Sequence, residues 1–239
     1  MAVSGSTDFE LDVAEYIEEA FERCGLELRT GYDFRTAKRS LDLLTIEWAN
    51  RGINLWTIEE GQIDMVTGQG TYDLPVDTID LLSHVIRTNS GDATNQQDLT
   101  ITRISVITYS DIPNKLVQGR PIQVWVDRQS GATESGGVNY PRIHVWPTPD
   151  TPGSQYKFVY WRLRRIQDSG TGISTQDIPF RFLNCMVAGL AYHLAMKLPK
   201  AADRVALLKA QYDEQWKIAT EEDREKAAIL LVPRRQFIG

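Results

Sequence analysis

At 239 residues the chain holds one large domain or two small ones, and it is long enough to bury most of the surface its unfolded form would expose. Hydrophobic residues at 42% and charged residues at 24% exclude wholesale disorder. The net charge of −6 excludes a protein that wraps nucleic acid in a generally basic surface, while leaving room for local basic contacts or for an acidic wall past which DNA slips.

Met1 to Thr7 has neither a positive start nor an apolar run, so no signal peptide is expected there. No apolar stretch approaches the ~18 residues of a membrane span. From Asp8 to Gly25 the spacing predicts a helix: Val13, Ile17, Ala20, Phe21 and Cys24 share one face, and Glu18, Glu19, Glu22 and Arg23 take the other. Thr7 or Asp8 is the expected cap and Gly25 the stop. A second helix is predicted from Asp33 to Arg51, with Ala37, Leu41, Leu44 and Trp48 as its apolar stripe and Gly52 as its end. Neither helix hides its stripe alone, so the two are expected to pair.

After Leu55 the period changes to that of strands. Trp56–Glu59 and Gln62–Val66 are predicted strands, and Thr67-Gly68-Gln69-Gly70 is read as a hairpin turn into Thr71–Leu74. Another strand is expected over Leu81–Thr88, then a polar loop over Asn89–Asp98 and a small helix near Ser105–Ser110. Ile122–Asp127, Arg142–Trp146 and Tyr156–Ile166 complete the strand set, with a glycine-bearing loop, Ser130–Asn139, among them. In the first of these Ile122, Val124 and Val126 share a face. Short strands at roughly ten-residue intervals, with no β-α-β alternation, predict a small antiparallel sandwich or barrel.

Helix returns near Pro179, with Asp177 as the expected cap and Phe180, Leu183, Val187, Leu190 and Leu194 as the core stripe up to Leu198 and Pro199. A last helix starts near Ala201 and carries Val205, Leu208, Tyr212, Trp216 and Ala219. The charged run Glu221–Lys226 is expected to be solvated. The fold class is therefore α+β, with terminal helices forming a bundle packed on the β-rich part. The expected domains are 8–54 plus 177–226 (helical), 55–176 (β-rich) and a tail, 227–239.

A search for catalytic chemistry finds no supporting motif. Cys24 and Cys185 stand far apart in helical segments and are read as reduced, buried small hydrophobes. The three histidines lack metal-ligand spacing: His84 lies in an apolar strand, His144 is expected at an exposed or edge position, and His193 sits beside Tyr192. There is no G-x-S-x-G and no P-loop, and Gly170-Thr171-Gly172 is a turn. The acid pairs Glu18/Glu19 and Glu59/Glu60 have the pattern of solvated faces rather than of a glycosidase pair. No metal or cofactor is implied.

Two segments point instead to contacts. Arg162 and Arg164 share a strand face and are either edge-strand charge or an interface stripe facing acids of a neighbouring subunit; both readings stay open. The tail residues Ile229, Leu230, Leu231, Val232, Pro233, Arg234, Arg235, Gln236, Phe237 and Ile238 are apolar and basic, poor material for a solvated end. They are expected either to bind a partner or to fold back onto the chain's own domain.

One ordered set of segments is more specific: E-W-A-N-R-G-I-N-L-W from Glu47, G-Q-G-T-Y-D-L-P from Gly68, I-P-N-K-L-V-Q-G-R-P-I-Q-V-W-V-D-R-Q from Ile112, I-H-V-W-P-T-P-D from Ile143, then Y-W-R-L-R-R-I-Q-D and D-I-P-F-R-F-L-N. Together these span roughly Asp8 to Ala219, and the chain resembles the head-to-tail adaptors of short-tailed phages, of the tail accessory factor and tail tubular protein A type. The resemblance implies a structural virion protein, not an enzyme, that forms a ring of typically twelve copies beneath the portal. Its other implied partners are the distal nozzle or needle and double-stranded DNA, which passes through the channel without specific binding; no membrane is involved. It also implies that the C-terminal extension docks into the portal. In the loop motif, Pro113 and Pro121 are expected to fix the loop and Gly119 to permit a turn. Lys115 and Arg120 are expected to meet nearby acids, with Asn114 in the same candidate interface; a purely loop-shaping role is the alternative. A tail-associated cell-wall hydrolase and another ring-forming part such as a stopper are the competing functions.

Overall fold

The computed structural model describes residues 11–52, 55–134, 136–151 and 155–223. The fold is α+β, and the chain divides into two compact units, residues 1–53 with 167–239 and residues 54–166.

In the helical unit, α1 (Val13–Arg23) starts at the first residue of the apolar stripe rather than at the expected Asp8. The expected caps Thr7 and Asp8 lie outside the described residues; Asp12 caps the helix. Its carboxylate accepts from the Glu15 amide at 2.8 Å, and Glu15 accepts from the Asp12 amide at 2.9 Å, a reciprocal capping box. Two further amides at this end, those of Val13 and Ala14, donate to the carbonyls of Ser174 and Gly172 at 3.0 Å. The segment after the last strand therefore belongs to the helical unit, and the boundary falls at Ile166 rather than near Gln176. Ser169 reinforces this with backbone and hydroxyl bonds to Asp42. Asp12→Ala is expected to cost about 1 kcal/mol, read as a lower urea midpoint of the full chain at unchanged slope.

α2 (Gly31–Asn50) is capped by Thr30 and ended by Gly52, whose φ of +78° suits glycine. Asp177 is not the cap of the next helix: it accepts from the Gln167 amide, and a 3-10 turn over Phe180–Phe182 intervenes before α4 (Leu183–Ala195). The tighter turn rotates the register, so Phe182 is buried while Phe180 is 68% exposed. α5 (Val205–Glu222) follows a second 3-10 turn, Pro199–Arg204. The charged end of α5 is only partly solvated: Glu221 and Glu222 are exposed, but the Asp223 side chain is 1% exposed and paired with Arg181.

α4 is the centre of this unit, and α1, α2 and α5 all pack against it. It is apolar nearly all round, which is what a helix enclosed by three neighbours requires. Its small residues let those neighbours close in: a side chain at Gly189 would meet Leu44 and Tyr212 at 2.9 Å. Trp48 of α2 completes the core. It is fully buried, donates to the Tyr212 hydroxyl at 2.9 Å, and lies 5.4 and 5.3 Å from the rings of Phe182 and Trp216.

Among the described residues the β-rich unit has a 3-10 turn (Leu55–Thr57) where a strand is expected from Trp56, then ten strands and one short α-helix: β1 (Ile58–Asp64), β2 (Thr71–Asp73), β3 (Thr78–Thr88), β4 (Gln97–Thr100), β5 (Thr102–Arg103), α3 (Val106–Ser110), β6 (Gln123–Asp127), β7 (Thr133–Glu134), β8 (Gly137–Val138), β9 (Arg142–Trp146) and β10 (Tyr156–Arg164). They form one sheet in the order β1-β10-β3-β4, a second in the order β2-β9-β6-β5, and the small β7-β8 ladder inside the expected Ser130–Asn139 loop. Pairing is antiparallel except between β5 and β6. The two large sheets share one core: Leu81, Ile86, Phe158 and Tyr160 from the first meet Tyr72, Val124, Ile143 and Val145 from the second. This is a sandwich.

The expected hairpin around Gly68 and Gly70 does not form. The turn is there, but it carries the chain from β1 in one sheet to β2 in the other. β1 pairs with distant β10, where Gly61 lies opposite Tyr160; a Cβ at Gly61 would come within 2.4 Å of that ring. Alternation of side chains sets which face of a strand is buried, but not which strand it joins.

Candidate interaction surfaces

The groups capable of chemistry are occupied structurally. Burial raises the Cys24 thiol and pushes that of Cys185 up to about 12, so neither is a ready nucleophile. His84 stacks on Phe158 within the β-rich unit, and His193 lies 3.4 Å from Glu47 within the helical unit. No group of three or more histidines, cysteines and acids suited to a metal occurs among the described residues.

His144 is neither exposed nor at an edge. β9 is an interior strand, so its outward face is still covered: the imidazole stacks on Trp125 at 4.6 Å, approaches Tyr109 at 5.4 Å and shares a 3.0 Å hydrogen bond with Thr71. Burial holds its pKa below the usual histidine range, against the pull of Asp127 and together with Arg142.

This aromatic group anchors the loop motif. The ammonium of Lys115 meets no acid among the described residues: it donates to the carbonyls of Ser110 and Ile112 at 3.1 and 3.0 Å and lies over the Tyr109 ring. A cation at the last carbonyls of α3 satisfies acceptors that a short helix leaves free. The Asn114 carbonyl accepts from the Trp146 indole at 3.0 Å, and Val117 and Gly119 bond to Thr148. Gly119 has no left-handed backbone, so the turn does not depend on its freedom. Pro121 is buried, whereas Pro113 and Arg120 are exposed.

Held this way, the loop and α3 display aliphatic side chains. No residue of α3 is buried; Ile107 is 69% exposed and Leu116 79% exposed, with Val106 and Val117 also exposed. A five-residue helix has no packing of its own to offer in exchange for such exposure, and clustered exposed aliphatics mark contact sites. In the sequence the polar and proline positions of this motif stand out, and these aliphatics do not. Their signal was present in the run Val106-Ile107, whose side chains have no partner stripe at helical spacing.

Arg162 and Arg164 are not edge residues, because β10 is flanked by β1 and β3. Arg162 bonds to Asp77, Thr78 and Glu59, and Arg164 bonds to Glu59 at 2.7 Å. Their acids come from the same chain. The tail, Ile229 to Ile238, lies outside the described residues.

The helical unit and the sandwich each have their own core, and each displays exposed aliphatic side chains. The chain belongs to the SU10 adaptor protein family, whose model matches residues 12–235. It is thus a phage adaptor protein, a structural component of the virion that associates with other virion components. No curated protein matches the sequence. No helix among the described residues is long and apolar enough to cross a membrane.

Proposed function

We propose that the chain is the head-to-tail adaptor of a short-tailed phage, closing into a ring of twelve copies beneath the portal and joining it to the nozzle or needle around the DNA channel. The observation that carries this reading is the adaptor family match over nearly the whole chain, from residue 12 to 235. The two-unit architecture supports it. A closed ring is built from heterologous contacts, which need two different surfaces on one subunit. The exposed aliphatics of α3 and its loop supply one surface, with Pro113 and Arg120 at its rim. The outer face of α2, with Leu43 53% and Ile46 57% exposed one turn apart, supplies the other. Arg162 and Arg164 serve the subunit's own sheet, and the net charge of −6 suits a channel that passes DNA without holding it.

In this reading the tail, Ile229 to Ile238, is the portal-binding segment, and the free protein is monomeric or weakly associated and assembles on the portal. Mixing the full chain with its cognate portal ring is expected to add a fixed number of copies by native mass measurement. A chain ending at Lys226 is expected to bind far less. A mixture in which the full chain adds no mass to the portal contradicts the proposal, and stable rings of the free protein at low concentration contradict assembly on the portal.

A further inference from the structure

A groove on the helical unit runs between α1 and the start of α4. Its apolar lining is Leu11, Leu183 and Val187, and its rim is acidic. Two of the rim carboxylates are engaged: Glu15 in the capping box and Glu19 with Arg23 at 2.9 Å. The other two, Glu18 and Glu22, are exposed, one turn apart, and have no ion-pair partner among the described residues. Like charges at this spacing repel by about 0.2–0.5 kcal/mol, so a cation across them relieves a standing cost. The groove wall also holds an unused donor. Arg23 gives Nε to Glu19 and Nη2 to Asn184, but its buried Nη1 has no acceptor among the described residues.

The described chain ends beside this groove. Asp223 is held by Arg181, and Asn184, one turn further along, bonds both Arg23 and Gln215 of α5. The sequence beyond it places four aliphatics at 229–232, then Pro233, two adjacent arginines, and Phe237-Ile238. We infer that the groove's occupant is this chain's own C-terminal segment, Ile229 to Ile238. Its aliphatics cover the apolar lining, Arg234 and Arg235 face Glu18 and Glu22, and its backbone carbonyls supply acceptors for Arg23.

The chemistry of the two partners matches in kind and number: an apolar floor with two free acids against an apolar segment with two arginines. Reach is not limiting. The eleven residues from Asp223 to Arg234 extend up to ~36 Å, whereas α1 is only ~16 Å long. A tether this short gives an effective concentration in the millimolar range, which favours the segment of the same chain over that of a second copy. The inference does not rest on the adaptor reading. If both hold, the segment exchanges the groove for the portal on assembly.

Hydrogen exchange of the free full chain, without any portal, tests it. The amides of 229–238 are expected to exchange at least about tenfold more slowly than in a peptide of the same sequence, independently of protein concentration. The double change Glu18→Lys and Glu22→Lys is expected to abolish that protection while α1 and α4 keep theirs. Should the reversal also loosen α1, the milder pair Glu18→Gln and Glu22→Gln decides, with partial loss expected. Unprotected amides in the unaltered chain overturn the inference. So does protection that survives both variants, or protection that rises with concentration, which assigns the groove to a second copy.

Discussion

Trp48→Ala is expected to destabilise the helical unit by about 4 kcal/mol. The indole is fully buried, is wedged between Phe182 and Trp216, and donates to the Tyr212 hydroxyl. Truncation removes the largest side chain of the core and leaves a cavity; the α4 residue that meets Leu44 and Tyr212 beside it is Gly189, which has no side chain to fill the space. It also strips a buried hydroxyl of its donor. Trp48→Phe separates these effects. It keeps most of the volume and is expected to cost about 1–3 kcal/mol through the lost hydrogen bond and residual space. Urea unfolding of the full chain, followed by circular dichroism at helical wavelengths, measures both. Equal losses in the two variants would show that the hydrogen bond, rather than packing, dominates at this position.

Arg162→Met is expected to lower the stability of the β-rich unit by about 2–3 kcal/mol. The arginine side chain is 11% exposed and binds Asp77 and Glu59 together, so its removal takes this ion pair from Asp77 and leaves Glu59 with Arg164. Those acids are 40% and 44% exposed, and water relieves part of the penalty, which places the cost below that of a fully buried pair. Asp77 ties the effect to pH. Burial alone raises its pKa, but the hydrogen bonds and charge of Arg162 outweigh that and hold the carboxyl below the usual range. A depressed folded pKa contributes stability that is present above the unfolded value of about 3.9 and is lost as pH falls through the folded value. The unaltered protein is therefore expected to lose stability on acidification below about pH 4. The variant, with the arginine gone, should show a shallower acid fall from a lower neutral-pH plateau. Arg120→Met, at an exposed position of the loop motif, should stay within about 0.5 kcal/mol of the unaltered chain. If Arg162→Met behaves like Arg120→Met, the internal ion-pair reading is wrong.

The two arginines illustrate where sequence reasoning stops. That Arg162 and Arg164 share a strand face follows from alternation, a local property. That the partners of Arg162 are Glu59 and Asp77, 103 and 85 residues away along the chain, follows only from β10 lying between β1 and β3. The same limit explains His144. Its side of the strand was legible, but its burial was not, because Trp125 and Tyr109 reach it through pairing and loop closure. Lys115 has the appearance of an interface charge in the sequence and is a local cap in the structure.

By itself the sequence determined the α+β class, the extents of the two long terminal helices and most strands within a few residues, and the buried stripe Ala37, Leu41, Leu44 and Trp48. Those features are written in short-range periodicity, caps and glycine stops, each decided within one or two turns of chain. An ordered set of short segments also carried the resemblance to phage adaptors. Tertiary structure alone decided that β1 and β2 part into different sheets, that Phe182 rather than Phe180 enters the core, and that residues 167–176 cap α1. It alone leaves Ile107 and Leu116 exposed and sets Glu18 and Glu22 along an apolar groove. The physical reason is common to all of these. A residue's preference for a face is local, but its neighbours across that face come from elsewhere in the chain, and only the closed core chooses them.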